Sequence, residues 1–132
     1  MIRAVVILLE KDGKIVFVKR SKFKKSLPER WSLTSGMVEK NESVFETAKR
    51  EAKEELDVDI FDLELFDERE IKKDGEHKIL YFIKAKYKGD LKLVDERETS
   101  EIRQYSMKEF FSLFKDEEIG HGLQYLRKKL GY

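Results

Sequence analysis

The segment from Ser43 to Leu56 constrains the fold more than any other stretch of the chain. Ser43-Val44-Phe45-Glu46 has the spacing of a capping box, in which the serine hydroxyl accepts from the N3 amide and the glutamate accepts from the cap amide. A helix is therefore expected to begin at Val44. Val44, Ala48, Ala52 and Leu56 recur every four residues, which gives a narrow apolar stripe whose alanines permit close approach to a sheet. The remaining faces are almost wholly charged, so this helix has one thin side to bury.

Strands are legible on both sides of it. Residues 4–9 and 14–19 are rich in aliphatic and β-branched side chains, and Lys11-Asp12-Gly13-Lys14 between them carries the Asp-Gly pair of a tight hairpin. Residues 58–72 and 77–87 flank Lys73-Asp74-Gly75-Glu76, a second hairpin signal. A basic stretch from Lys19 to Lys25 and the proline at 28 mark a loop, after which Arg30 to Val38 is expected to be extended, with a break at Gly36. Short strands are expected at Leu91–Val94 and Ile102–Tyr105, and two closing helices at Met107–Phe114 and Ile119–Leu130. Strands mixed with a few helices, without strict βαβ repetition, make this an α+β chain with a mixed central sheet. At 132 residues it is one domain, 1–132, because two separate cores would each be too small.

Composition removes several functions. The 28 basic and 27 acidic residues nearly balance, so a net charge of +1 gives no basis for bulk nucleic-acid or membrane binding. With no cysteine, disulfides, thiolate metal sites and cysteine nucleophiles are excluded. The apolar run from Ala4 to Leu9 is too short to span a membrane, and no cleavage site follows it, which makes the cytoplasm the expected location.

Glu51, Glu54 and Glu55 stand at i, i+3 and i+4 and project from one face within a single turn. They crowd like charges toward the helix C-terminus, where the macrodipole is already negative. Hard cations such as Mg²⁺ take oxygen ligands and suit such a cluster. A solvated face of mixed charge is the competing explanation, because Lys49, Arg50 and Lys53 are interleaved. The longer spacing separates the two. Gly36 is followed by five residues and Glu42, then by seven residues and Arg50-Glu51-Ala52-Lys53-Glu54-Glu55-Leu56-Asp57-Val58. This resembles the Nudix box, with six of its seven fixed residues and both aliphatic positions in place. A chance match of the fixed residues is expected about 10⁻⁴ times in a chain of this composition.

The resemblance implies a Nudix-type α/β/α sandwich, with the box as a loop-helix unit and closing C-terminal helices. It implies that Glu51, Glu54 and Glu55 ligate Mg²⁺ or Mn²⁺, joined by the carbonyl of Gly36, and that Arg50 and Glu42 brace the unit. The general base would be Glu54 first and Glu98 second. Two positions depart from the family: Asp57 replaces the usual glycine near the box end, and Thr34-Ser35 stands where Pro-Gly is frequent before Gly36. Neither removes a ligand.

Arg20, Lys22 and Arg30 are candidates for contact with substrate phosphates, although surface positions are commoner for such residues. Phe23, Trp31 and Tyr81 are candidates for stacking on a base, although aromatics more often fill a core. His77 and His121 are far apart in sequence and read as structural or surface residues. The implied reaction is metal-dependent hydrolysis of a phosphoanhydride in a nucleoside diphosphate linked to another moiety. Alternatives are a nucleotide-sensing module without catalysis and an isopentenyl-diphosphate-isomerase-like enzyme, the latter disfavoured by the absence of cysteine. The expected partner is a nucleotide-like small molecule; a capped or triphosphorylated RNA end and a homodimer both stay open.

Overall fold

In the computed structural model, which describes residues 1–132, β1 (Ile2–Lys11) and β2 (Lys14–Arg20) form the expected hairpin. Asp12 and Gly13 sit at φ 53° and 78°, the left-handed conformation that a two-residue turn demands and that Asp-Gly adopts with little strain. The pairing then stops almost at once. β1 and β2 are in register only at Glu10↔Ile15 and Lys11↔Lys14. Beyond these, β1 takes β4 (Thr34–Met37) as its antiparallel neighbour over Ala4 to Ile7, while β2 pairs with β3 (Trp31–Ser32) and β7 (Thr99–Tyr105). The two arms of the hairpin diverge, and a cleft opens between the leaves of sheet that they carry.

On its other side β1 runs parallel to β6 (Glu76–Lys88), from Ile2↔Lys78 to Glu10↔Lys86. β6 is joined to β5 (Asp59–Lys73) through the second Asp-Gly turn, with Asp74 and Gly75 again at φ 53° and 78°. The sheet is thus mixed, in the order β3-β2-β1-β6-β5. β5 is an outer strand, and its register shifts twice, between Phe61 and Glu64 and between Leu65 and Asp67. Such bulges, with the charged residues around them, keep an open edge from pairing with another chain.

β1 is buried on both faces, which explains its unbroken apolar run. Val5, Ile7 and Leu9, with Ile83 and Ala85 of β6, pack against Ala48, Ala52 and Leu56 of α1 (Val44–Leu56). Val6 and Leu8, with Leu80 and Phe82, pack against α2 (Met107–Leu113) and α3 (His121–Leu130). The result is the expected α/β/α layering. Phe17 of β2 stacks on Phe110 of α2 with ring centroids 3.8 Å apart, which locks the closing helices onto the sheet.

Four expectations need correction. Leu91–Val94 is loop, because β6 already has neighbours on both sides; the loop is tied instead by the Lys92 N–H donating to the Leu56 carbonyl at 3.0 Å. Gly36 does not break the extended segment but pairs with Val5 inside β4. β7 begins at Thr99 rather than Ile102, because its pairing with β2 extends to Arg20↔Thr99. α3 begins at His121 rather than Ile119, since Ile119 is bridged to Trp31 and follows a single 3₁₀ turn at Asp116–Glu118. No helix is long and apolar enough to cross a membrane.

Both ends of α1 follow the sequence logic. The capping box is complete, with the Glu46 N–H donating to Ser43 Oγ at 3.1 Å and the Ser43 N–H donating to Glu46 Oε1 at 2.9 Å. At the other end Asp57 takes the left-handed conformation, φ 56° and ψ 41°, that a glycine would occupy without strain. Ser43→Ala is therefore expected to destabilise the protein by about 1 kcal/mol. Asp57→Gly is expected to hold stability level or raise it by up to about 1 kcal/mol, with strain relief set against the greater freedom of glycine in the unfolded chain. Urea denaturation of the two variants measures both, and a clear loss in Asp57→Gly would show that the cap is not strained.

Candidate active site

The cleft between the leaves has a volume of about 630 Å³. Its floor is one face of β1 and β6, where Ile2, Ala4 and Val6 alternate beside Lys78 and Leu80. Glu51, Glu54 and Glu55 of α1 line it together with Glu98 and Asp95 from the loop before β7, and so do Gly120 to Leu123 at the start of α3. Arg20, Lys24 and Ser26 border it from the β2–β3 side.

α1 is fixed beneath this cleft by Arg50. Its Nε and Nη2 donate to the two oxygens of Glu42 at 2.7 and 3.0 Å, a bidentate pairing, and Nη2 also donates to the Met37 carbonyl at 3.0 Å. Nη1 donates to Glu51 Oε1 at 2.8 Å and to Glu54 Oε2 at 3.2 Å. Every guanidinium N–H thus has an acceptor. Glu42 Oε1 further accepts from Thr47 Oγ1 at 2.7 Å and from the Glu39 N–H at 3.1 Å. The Arg50 guanidinium, aided by the Thr47 hydroxyl, pulls the Glu42 carboxyl down to about 2. Glu42 stays ionised at any ordinary pH and works as an anchor.

The other carboxylates are perturbed in the opposite sense. Burial, reinforced by the charge of Glu51, pushes Glu55 up to about 8; its nearest donor is Thr99 Oγ1, at 3.3 Å. Burial also raises Glu51, against the pull of Arg50. Glu51 lies where a side chain on Gly36 would go: a Cβ built there would stand 2.0 Å from Glu51 Cδ. The glycine is needed here for space. As they stand, no three acidic or histidine side chains converge in ligating geometry, and Arg50 holds Glu51 and Glu54.

Even so, the residues present fit a divalent cation. Carboxylates whose proton affinity is raised by burial and by each other are short of positive charge. Oxygen-only donors beside the backbone at Gly36 are the set that hard cations take. Binding an ion would require Glu51 and Glu54 to turn from Arg50.

Of the other candidates, Arg20 reaches the cleft. Its Nε and Nη2 donate to the Ser26 carbonyl at 3.0 and 2.8 Å, and it forms no ion pair with a carboxylate. Burial lowers its pKa, opposed by the charges of Glu76, Glu98 and Glu55. Glu98 also lines the cleft and is ion-paired to Lys24. Lys22, Phe23, Arg30 and Tyr81 do not line it. Lys22 lies over the ring of Phe23, which is exposed. Arg30 donates to the Ile119 carbonyl at 3.3 Å, and the Tyr81 hydroxyl accepts from Arg3 Nε at 3.1 Å beside the α1 core. Trp31 is buried and packs on Phe114.

Sequence reasoning missed Lys24, His121 and the Glu76–Lys78 pair. Lys24 was one lysine in a basic run. His121 had a usable signal in the glycines on either side of it, which leave a helix start with little side-chain cover.

Comparison with known proteins adds the family. A search of curated protein sequences gives no match. Among solved structures, the chain is similar to a MutT NUDIX hydrolase from Burkholderia pseudomallei, at 19% identity over 94% of this chain and 93% of that one, with a TM-score of 0.81. It is also similar to the E. coli ORF135 protein, at 25% identity over 85% and 78%, TM-score 0.71. A MutT protein from Methanosarcina mazei Go1 matches at 20% identity over 90% and 84%, TM-score 0.73. At such identities these likenesses bear on the fold. The NUDIX domain profile goes further and matches residues 1–126. Since that match takes in the cleft, the glutamate helix and the loop that Arg50 ties to it, the chain belongs to the Nudix family of pyrophosphohydrolases, which are generally dependent on a divalent metal.

Proposed function

We propose that this chain hydrolyses a phosphoanhydride bond in a nucleoside diphosphate linked to another moiety, by attack of water at phosphorus. The observation that carries the reading is the perturbed carboxylate group lining the cleft, where Glu51 fills the space left by Gly36 and Glu55 is raised to about 8. Glu51, Glu54 and Glu55, with the Gly36 carbonyl, would hold Mg²⁺ or Mn²⁺. When bound, such an ion neutralises phosphate oxygens and makes water beside it more acidic.

The chain's own groups do the rest. Arg20 keeps guanidinium N–H groups clear of any carboxylate and is placed to bind a phosphate oxygen. Glu54 is the preferred base, because it is exposed at the cleft and its one ion-pair partner is Arg50 at 3.2 Å. Glu98 is the weaker choice, since Lys24 already neutralises it. Arg50 and Glu42 position the loop and helix and take no part in proton transfer.

The deciding experiment is a panel of nucleotides incubated with Mg²⁺ or Mn²⁺ and analysed for phosphate, pyrophosphate and monophosphate. Cleavage of at least one phosphoanhydride is expected. Tight binding of a nucleotide without any cleavage would replace this reading with a sensor.

Glu54→Gln is expected to lower kcat by about 10²-fold or more while leaving the melting temperature nearly unchanged, and retained turnover would remove Glu54 from both roles. Gly36→Ala is expected to leave the fold intact, because the obstructed atoms belong to a flexible side chain, yet to displace Glu51. Calorimetry should then show metal affinity reduced by about tenfold or more.

The raised Glu55 carboxyl also makes stability depend on pH. Glu55 binds its proton up to about 8 in the folded protein against an ordinary value of 4.5. Between those values the folded state holds a proton that the unfolded chain has released. Stability of the metal-free protein should therefore fall as pH rises through this window, and fall less in Glu55→Gln. A cation takes the place of that proton, so Mg²⁺ should raise the melting temperature more at about pH 8.5 than at about pH 6. Equal shifts at the two pH values would separate Glu55 from the metal.

A further inference from the structure

The turn from Ser21 to Lys24 displays an aromatic ring that the chemistry above does not use. Phe23 is 67% exposed and belongs to neither half of the core. A lone exposed apolar side chain is ordinary, but this one is held out on a fixed turn. Ser21 is 1% exposed; its N–H donates to the Glu98 carbonyl at 3.0 Å, and its Oγ donates to the Arg97 carbonyl. The same Oγ accepts from the Phe23 N–H at 3.2 Å, and the Ser21 carbonyl accepts from the Lys24 N–H at 3.3 Å. A buried serine thus pins the backbone on both sides of the ring, so little further ordering is needed when something binds to it.

The charge around the ring is one-sided. Five of the seven residues from Lys19 to Lys25 are basic and none is acidic, against a net charge of +1 for the whole chain. Lys24 lines the cleft and is ion-paired to Glu98, whereas Lys22 and Lys25 are exposed, with Lys22 Nζ 5.3 Å from the centre of the Phe23 ring. Cations around an exposed ring are the means by which proteins hold a single-stranded nucleic acid: the ring stacks on a base of any identity and the cations follow the phosphates. Phe23 does not line the cleft, yet its neighbour Lys24 does. The base within its reach is therefore not the one carried by a nucleotide in the cleft but that of a nucleotide attached to it. An anionic membrane surface also attracts a basic loop, but Phe23 is this loop's one exposed large hydrophobic, and insertion scales with the apolar area buried.

Resting on the hydrolase reading, we propose that the substrate is the end of a single-stranded nucleic acid. The terminal nucleotide enters the cleft with its phosphoanhydride, the strand leaves past the turn, a following base stacks on Phe23, and Lys22 and Lys25 meet the phosphates. The turn contributes binding and specificity and takes no part in bond breaking. Water adds across the same P–O–P bridge as before, and the strand is left with fewer terminal phosphates.

The test measures kcat/KM, with Mg²⁺, for GTP and ATP against 5′-triphosphorylated RNAs of about six nucleotides that begin with the same nucleotide. A preference of roughly tenfold or more for the RNA is expected, the usual loss when one stacking ring is removed. Phe23→Ala should abolish most of that preference, Phe23→Trp should keep it, and Lys22→Gln combined with Lys25→Gln should reduce it. In all three variants the mononucleotide rate and the melting temperature should stay unchanged. Binding of the same RNAs, followed by fluorescence anisotropy, and co-sedimentation with phosphatidylserine–phosphatidylcholine vesicles are the other arms. RNA held through Phe23 with no phosphoanhydride cleaved in any substrate would retire the hydrolase reading and leave the strand site standing. Cleavage of mononucleotides with no preference for RNA, or with a preference unchanged in Phe23→Ala, would overturn the strand site and leave the hydrolase reading intact. Vesicle binding lost in Phe23→Ala, without an RNA preference, would assign the turn to a membrane and overturn it as well. Failure to bind or cleave any of these molecules would overturn both.

Discussion

The guanidinium of Arg50 is the joint on which the site depends. It grips the loop through Glu42 and the Met37 carbonyl, and it grips the helix face through Glu51 and Glu54. Glu42 can serve as a permanent anchor because its charge is held by hydrogen bonds that favour the ionised form. Glu51 and Glu54 meet the same cation on less settled terms. Burial works against the charge on Glu51, and Glu54 has only one N–H from Arg50. One side chain therefore holds the backbone firmly and the helix carboxylates loosely. Under the proposed function, this arrangement would let the loop stay in place while the acids turn toward a cation or a substrate.

Local signals carried most of the fold. The Asp-Gly pairs fixed both hairpins because a two-residue turn needs left-handed backbone, and the capping box fixed the start of α1 because its hydrogen bonds close within four residues. Asp57 in the left-handed region follows from the same kind of rule. The features that were hidden depend on non-local pairing. Nothing in residues 4–19 says that β1 and β2 part after two residue pairs, because the partners that draw them apart, β4 and β7, lie elsewhere in the chain. Leu91–Val94 has strand-like composition but follows a strand with no free edge.

The site was legible to the same degree. Arg50 and the three helix glutamates could be placed because helical spacing converts sequence distance into direction, and Glu42 only because its distance from them matches the box. Loop residues offer no such conversion. Arg20 and Lys22 look alike in sequence, yet Arg20 is drawn inward onto the Ser26 carbonyl and Lys22 lies over Phe23 at the surface. Tyr81 alternates to the α1 face of the sheet, whereas Leu80 beside it faces the cleft. A one-residue step along a strand changes sides, and only the register with β1 shows which side is which.

The parting of β1 from β2 has a consequence for how the molecule comes together. The glutamate end of the cleft needs α1 and β4 on one leaf and the loop before β7 on the other, and the β2–β7 pairing joins Ile15 to Tyr105 across most of the chain. The hairpins and α1 are local structures that can form early, whereas closing so long a loop is entropically slow. A chain emerging from synthesis would thus hold its box helix long before it held a working cleft. Bringing the helix carboxylates opposite Glu98 requires β7 to dock, so the closed cleft depends on the longest-range strand pairing in the chain and not on the local elements that line it.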